Sequence, residues 1–218
     1  MKYLLYLIGL IKRIVKLIIK VDIFMKKTLS LTLASTLVLF STLSYAEETK
    51  KAVLAGGCFW CMESDFEKLE GVTDVISGFT GGKIKNPTYN GNHKGHYEAV
   101  EITYKPSIVS YQDILNHYWV NIDPFDPKGQ FCDKGPSYRS AIFPGSESEK
   151  VLAEQSKAKV AARFSGQTVY TEIRDRGQFW PVEEYHQDYY LKNPVRYKYY
   201  RWNCGRDQRL EQLWGAED

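Results

Sequence analysis

The stretch Lys51-Ala52-Val53-Leu54-Ala55-Gly56-Gly57-Cys58-Phe59-Trp60-Cys61-Met62-Glu63 joins two kinds of periodicity. Ala52 to Ala55 is a short, unbroken apolar run with the length of a buried strand. Cys61 to Leu69 places Met62, Phe66 and Leu69 at helical spacing and closes near Gly71. Between them stand two glycines, which let the backbone turn sharply. A strand, a turn and a helix in that order put Cys58 at a helix N-terminus. There the macrodipole and unpaired N–H groups favour thiolate over thiol. Phe59 and Trp60 set an apolar wall beside the sulfur. Such a site suits a substrate carrying a small apolar group next to a reactive atom.

Working outward, Val72–Phe79 reads as a second strand, ended by Gly81-Gly82. Lys83 to Gly95 is rich in Asn, Gly and Pro and reads as a long functional loop. His96–Tyr104 is a third strand, with Glu98, Val100, Ile102 and Tyr104 on one side, stopped by Pro106. Ser110 fits an N-cap for the helix Tyr111–Ile122, with Asp113 in its first turn. Asp123 to Pro136 is a second functional loop. Ser137–Phe143 is a strand, Pro144-Gly145 a turn, and Ser146–Phe164 a long helix with Glu149 at the capping-box position. Thr168–Ile173 is the last strand. A tail with Tyr185, Tyr189, Tyr190, Tyr197, Tyr199, Tyr200 and Trp202 reads as irregular and aromatic, ending in a helical stretch over Gln208–Trp214. The order strand-helix-strand-strand-helix-strand predicts an α+β two-layer sandwich with a ferredoxin-like split βαβ core.

The chain has 218 residues. Met25-Lys26-Lys27, the mainly apolar run Leu29–Leu43 and Ser44-Tyr45-Ala46 form the pattern of a secretory signal peptide over 25–46, cleaved after Ala46. The apolar run is short for a membrane span and contains several Ser and Thr. Residues 1–24 mix isoleucine and leucine with Lys12, Arg13, Lys16 and Lys20, as a basic amphipathic helix on a membrane would. The complete signal beginning at Met25 favours reading them as an upstream extension with a mis-assigned start. The expectation is export to a periplasmic or extracellular location, with membrane contact only through the uncleaved leader. Residues 1–46 hold seven basic residues and one acid, so 47–218 keeps 22 basic and 25 acidic residues, a net charge of −3. No nucleic-acid partner is implied. Residues 47–218 suffice for one domain with its own core, expected to be a monomer.

The four cysteines are Cys58, Cys61, Cys132 and Cys204. In an exported chain two static disulfides are one reading. Zinc would want a second tight pair beside Cys58-x-x-Cys61, and none exists, so no metal is expected. A thioredoxin-like pair is a third reading, though here Phe59 and Trp60 fill the middle of the motif rather than precede it.

Gly56-Gly57-Cys58-Phe59-Trp60 resembles the signature of the peptide methionine sulfoxide reductase A family. Gly78-Phe79-Thr80-Gly81-Gly82, Asn86-Pro87-Thr88-Tyr89, Gly95-His96-Tyr97-Glu98-Ala99-Val100 and Tyr138-Arg139-Ser140-Ala141-Ile142 follow in the family's order. The resemblance spans Lys51 to Trp214. It implies reduction of methionine-S-sulfoxide, in proteins and as the free amino acid, through a cysteine sulfenic acid and then an intramolecular disulfide. It implies no bound cofactor and an external dithiol reductant, thioredoxin or a thioredoxin-like protein. The rivals are an exported thioredoxin-like thiol-disulfide oxidoreductase and a non-enzymatic disulfide-stapled protein.

The chemistry needs a nucleophile, an acid to protonate the departing oxygen, donors to that oxygen and a slot for the methyl group. By resemblance these are Cys58, Glu98, the pair Tyr89 and Tyr138, and the pair Phe59 and Trp60. Asp133 matches a residue that helps orient substrate. The acid role requires a desolvated Glu98 that stays protonated near neutral pH. Cys204, in Trp202-Asn203-Cys204-Gly205, matches the resolving cysteine of the family's C-terminal segment. Cys61 is its competitor. If Cys61 simply follows Cys58 on the helix, its side chain points to another sector and a bridge is disfavoured. Cys132 has an open secondary redox role. His186 invites a Cys–His dyad but reads better as a packed, hydrogen-bonded histidine.

Overall fold

β1 (Lys50–Gly56) lies inside a six-stranded sheet because both of its faces are apolar. In this computed structural model, which describes residues 9, 11–26 and 47–215, Ala52 and Leu54 belong to one buried cluster and Val53 and Ala55 to another. β1 pairs antiparallel with β3 (Tyr97–Tyr104), Leu54 opposite Val100. On its other edge it pairs with β6 (Ser140–Ile142), Leu54 opposite Ile142. β2 (Val72–Thr80) runs antiparallel to β3 on the far side, so β3 separates β1 from β2. Two short strands extend the edges: β7 (Glu172–Ile173), parallel to β6, and β8 (Trp180–Pro181), beside β2. The order is β7-β6-β1-β3-β2-β8. A separate small hairpin, β4 (Gly129–Gln130) with β5 (Asp133–Lys134), forms inside the second functional loop. The architecture is mixed α+β.

Helix α1 (Phe59–Phe66) leaves β1 through Gly56 and Gly57. Gly57 has φ +86°, the left-handed region, and a Cβ on Gly56 would lie 2.3 Å from Met62 Sδ. The two glycines therefore fix where Cys58 emerges. α2 (Tyr111–Val120) and α3 (Glu147–Arg163) join α1 in the cluster containing Phe66, Val100, Ile102, Ile114, Leu115 and Ala153. Each fully buried aliphatic or aromatic side chain there contributes about 1.5–3 kcal/mol. Ser110 and Asp113 form a reciprocal capping box on α2. At α3 Ser146 accepts from Glu149 N, while Glu149 accepts from Gly145 N at 2.6 Å.

Several boundaries differ from the sequence reading. α1 begins at Phe59 rather than Cys61. Before β6, Pro136–Tyr138 is a 3₁₀ turn, and the last expected strand shrinks to Glu172–Ile173. The tail read as irregular before its final helix holds two further helices, α4 (Tyr189–Lys192) and α5 (Pro194–Asn203), ahead of the expected one, α6 (Arg206–Trp214). Tyr189, Tyr190, Tyr197 and Tyr200 of these helices pack around Cys58 and Cys61, while Tyr185, Tyr199 and Trp202 are exposed.

The compact unit containing the sheet starts at Glu48. Residues 11–26 form an α-helix with exposed side chains, Ile14, Leu17 and Phe24 among them. Among the described residues no helix is long and apolar enough to cross a membrane. Most of the signal-peptide reading, residues 27–46, lies outside the described residues.

Candidate active site

Cys58 is the N-cap of α1 and is 6 % exposed. Its ψ of 119° places it outside the helical spiral, over the open end of the helix. The N–H of Phe59, one of the free donors at that end, goes to Glu98 Oε2 at 3.2 Å. Glu98 shares the inward side of β3 with Val100, Ile102 and Tyr104 and is 2 % exposed. Burial pushes its carboxyl up to about 8, against the lowering effect of the Phe59 N–H and the Tyr138 hydroxyl. Glu98 is therefore a protonated acid at neutral pH. Tyr138, just before β6, and Tyr89, from the first loop, are both held neutral, mainly by burial, with Tyr89 pushed up to about 12. Both remain O–H donors.

The aromatic wall is assembled from distant segments. Phe59, Trp60, Tyr89 and His186 form one group, with ring centroids of Phe59 and Tyr89 at 6.1 Å and of Tyr89 and His186 at 4.1 Å. Trp60 stacks on Tyr189 at 3.8 Å. Trp60 Nε1 donates to His186 Nδ1 at 3.2 Å, which fixes the proton of the neutral imidazole on Nε2. Burial pushes the His186 pKa down. His186 is a packed, hydrogen-bonded histidine that orients Trp60.

The expectation of a resting thiolate at Cys58 is corrected. Burial, together with Cys61 and Glu98, holds the Cys58 thiol well above the ordinary range. Burial outweighs the helix end here, and the Phe59 N–H already serves Glu98. A second correction concerns Cys61. Cys58 stands at the cap rather than in the helix, Cys61 N donates to Cys58 O at 3.1 Å, and both residues pack in one buried cluster with Tyr197. Cys61 is 1 % exposed, and the Cys58 hydrogen bond lowers its pKa, with help from the Arg206 and Arg201 cations.

Cys132 and Cys204 form a disulfide, while Cys58 and Cys61 are free thiols. Cys204 is thus joined to Cys132 rather than to Cys58. Asp133 follows Cys132 on the β4–β5 hairpin, with its Oδ2 3.9 Å from Cys204 Sγ. The Tyr200 hydroxyl donates to Asp133, and Tyr200 packs against the buried cluster of Cys58, Cys61 and Tyr197. Arg206 is 2 % exposed and lies 4.6 Å from the Phe131 ring centroid. It donates to Asn121 O at 2.6 Å and pairs with Asp65 at 3.5 Å. Tyr200, Tyr189 and Arg206 were not singled out from sequence. The two tyrosines were visible only as members of an aromatic-rich tail, and Arg206 carried no signal.

Two groups of candidate metal ligands occur among the described residues. In Cys132, Asp133 and Cys204 the sulfurs are tied up in the disulfide. In Glu63, Glu67 and Asp188, burial pushes Glu63 up to about 8, Asp188 N donates to Glu63, and the Tyr190 hydroxyl donates to Glu67.

A cap thiol, a buried acid and two neutral phenols lie beside an aromatic wall, and comparison with known proteins shows the family. The family described as "Peptide methionine sulfoxide reductase" matches residues 50–218. The chain belongs to the peptide methionine sulfoxide reductase family. It is 48 % identical over 174 residues to peptide methionine sulfoxide reductase MsrA 2 of Caulobacter vibrioides, covering 78 % of this chain and 88 % of that one. It is 47 % identical over 176 residues to MsrA of Bacillus licheniformis, covering 79 % and 97 %. Among solved structures, methionine sulfoxide reductase A of Corynebacterium diphtheriae superposes with a TM-score of 0.61 at 30 % identity, over 71 % of this chain and 79 % of that one. Mxr1 of Saccharomyces cerevisiae in reduced form gives 0.61 at 25 % identity, over 71 % and 91 %. This peptide methionine sulfoxide reductase is a thiol-dependent oxidoreductase acting on methionine-S-sulfoxide.

Proposed function

We propose that Cys58 attacks the sulfoxide sulfur while Glu98 protonates its oxygen, with Tyr89 and Tyr138 donating to that oxygen and Phe59 and Trp60 enclosing the methyl group. The observation that carries this reading is the Glu98 carboxyl, buried and protonated, on the first N–H of the helix that Cys58 caps. Oxygen leaves sulfur as its proton arrives from Glu98 and ends on Cys58 as a sulfenic acid, while the thiol proton returns to Glu98. Methionine is the other product. Asp133, bonded to Tyr200, orients the substrate's polar end. An intramolecular disulfide then restores Cys58, with the oxidation carried outward to Cys204 and the exposed Cys132. There an external dithiol, thioredoxin or a relative of it, collects it. No bound cofactor is required. Substrates are oxidised proteins and free methionine sulfoxide.

Glu98→Gln keeps the shape and removes the proton. Single-turnover sulfenic acid formation should slow by on the order of 100-fold or more. Equal rates in the two proteins would make Glu98 structural.

We read the core β6-β1-β3-β2 as a ferredoxin-like split βαβ unit in a two-layer sandwich, acting as a monomer. We read residues 25–46 as a signal peptide, 1–24 as an upstream extension and 47–218 as the exported reductase domain. The Ser44-Tyr45-Ala46 site supports this. Intact mass of protein from the cell envelope should give Glu47 as the first residue. Soluble cytoplasmic protein retaining Met25 to Ala46 would refute export.

A further inference from the structure

The Tyr89 hydroxyl is presented from the loop between β2 and β3, which holds neither strand nor helix. Gly91 N donates to Thr88 O at 3.4 Å and His93 Nδ1 lies 3.0 Å from the same oxygen, bonds that shape the turn around Tyr89 without tying it to the sheet. A second segment ties it. The Tyr89 N–H is shared between both carboxylate oxygens of Glu183, at 3.3 Å each, and Asn90 Nδ2 donates to the Tyr185 hydroxyl at 3.3 Å. The Tyr89 ring packs on His186 of the same segment. This segment is anchored without the Glu183 side chain. Val182 N donates to Ser77 O at 3.0 Å. Gln187 returns to the same residue, its Oε1 accepting from Ser77 N and its Nε2 donating to Ser77 O, both at 2.9 Å. Between these anchors Glu183 O accepts from His186 N at 2.9 Å and closes a 3₁₀ turn over Glu184–His186. Ser77 is fully buried in β2, so the turn is fixed to the sheet at both ends. The half-buried Glu183 reaches from that fixed turn to the loop.

We infer that Glu183 is a positioning residue of the reductase: its carboxylate holds the backbone of Tyr89 so that the phenol meets the sulfoxide oxygen. The inference rests on Tyr89 being a donor to that oxygen. A carboxylate is an acceptor with two oxygens, and a backbone N–H shared between them is held by a charge-assisted bond. Held at its N–H by Glu183 and at its ring by His186, Tyr89 is fixed at two points of one turn. Fixing matters because a misplacement of about 1 Å, caused from outside the reacting groups, can cost about 100-fold in rate. Glu183 touches neither substrate nor Cys58 in this scheme. It acts through Tyr89, so its effect exists only while the Tyr89 hydroxyl does. Removing its carboxylate leaves the 3₁₀ turn intact, since the bonds of that turn come from backbone atoms, Ser77 and Gln187.

The test is a double-mutant cycle on methionine release in a single turnover, with the reduced protein and saturating free methionine sulfoxide. Tyr89→Phe should slow release by about tenfold or more, as loss of one donor to a developing charge does. Glu183→Ala should slow it by about tenfold in the wild-type background. Added to Tyr89→Phe, the same change should slow it by less than about twofold further. Glu183→Gln keeps an acceptor oxygen and should stay within about threefold of wild type. Equal fold-losses from Glu183→Ala in both backgrounds, or a wild-type rate for Glu183→Ala, would overturn the inference and leave Tyr89 as a donor. A wild-type rate for Tyr89→Phe would overturn the donor reading and the inference with it. The wild-type protein gives a further reading that does not depend on variants folding. By NMR, its Tyr89 amide should exchange with solvent at least about tenfold more slowly than an unstructured peptide amide. Exchange at the unstructured rate overturns the inference.

Discussion

Two helix N-termini in this protein are built differently. At α2, Ser110 Oγ accepts from Asp113 N and Asp113 accepts from Ser110 N at 3.0 Å. Every partner is within three residues, so the cap is complete as soon as the turn forms. At α1, Cys58 makes no side-chain cap bond, and the Phe59 N–H is taken by Glu98, 39 residues away. The first arrangement stabilises a helix. The second leaves a thiol over an uncapped end and brings a carboxylic acid to it from another strand, which only the folded chain can do.

Exchanging the thiol for a hydroxyl gives the largest expected effect. Cys58→Ser should abolish sulfoxide reduction, since a hydroxyl is a far poorer nucleophile and forms no sulfenic acid. Serine is also a preferred N-cap, so the same variant should be more stable by about 0.5–1 kcal/mol in urea unfolding. Residual turnover within tenfold of wild type, a factor of about 1.4 kcal/mol in barrier, would remove Cys58 from the mechanism.

The pH response should differ in sign between the two ends. Glu98 is raised from 4.5 to about 8, so it is protonated in the folded chain where the unfolded chain has released its proton. That contribution is complete below pH 4.5 and is lost as pH rises towards about 8, with a slope of up to about 1.4 kcal/mol per pH unit. Glu63, also raised to about 8, adds a slope of the same sign. Asp113 is lowered by its bonds to Ser110, so its contribution is present above its ordinary value of 3.8 and is lost as pH falls. Activity should drop about tenfold per unit above pH 8, as Glu98 loses its proton. Urea midpoints from pH 5 to 8 check the first slope, and it should be shallower in Glu98→Gln. An unchanged slope would place the bound proton elsewhere.

The smallest effect is at the local cap. Ser110→Ala should cost about 1 kcal/mol and leave kcat unchanged. A fall in kcat with unchanged stability would break the contrast between the two helix ends.

What could be read from sequence follows the same division. The capping box at Ser110 and the N-cap at Ser146 are legible because their partners lie within four residues. Alternation puts Glu98 on one side of β3 with Val100, Ile102 and Tyr104, and only the family resemblance marks it as a desolvated acid. The direction of Cys61 was misread because it depends on the cap ψ of Cys58, which a two-glycine turn does not specify. The Cys132–Cys204 pairing spans 72 residues and has no local signature. The helices α4 and α5 of the tail escaped because their aromatic residues follow no clean 3.6-residue period, whereas the stretch over Gln208–Trp214 is read as the helix α6 forms. β7 is two residues long since only Ala141 and Ile142 face it in parallel pairing.

In the proposed relay oxidation enters at Cys58 and comes to rest at Cys132 and Cys204, and that separation of roles has an evolutionary consequence. Cys58 is almost sealed, whereas Cys132 is open to solvent on its own small hairpin. A bulky reductant meeting Cys132 need never fit the pocket of Phe59 and Trp60. Mutations that retune one recognition surface leave the other intact, so a lineage can change its electron supplier without relearning its substrate.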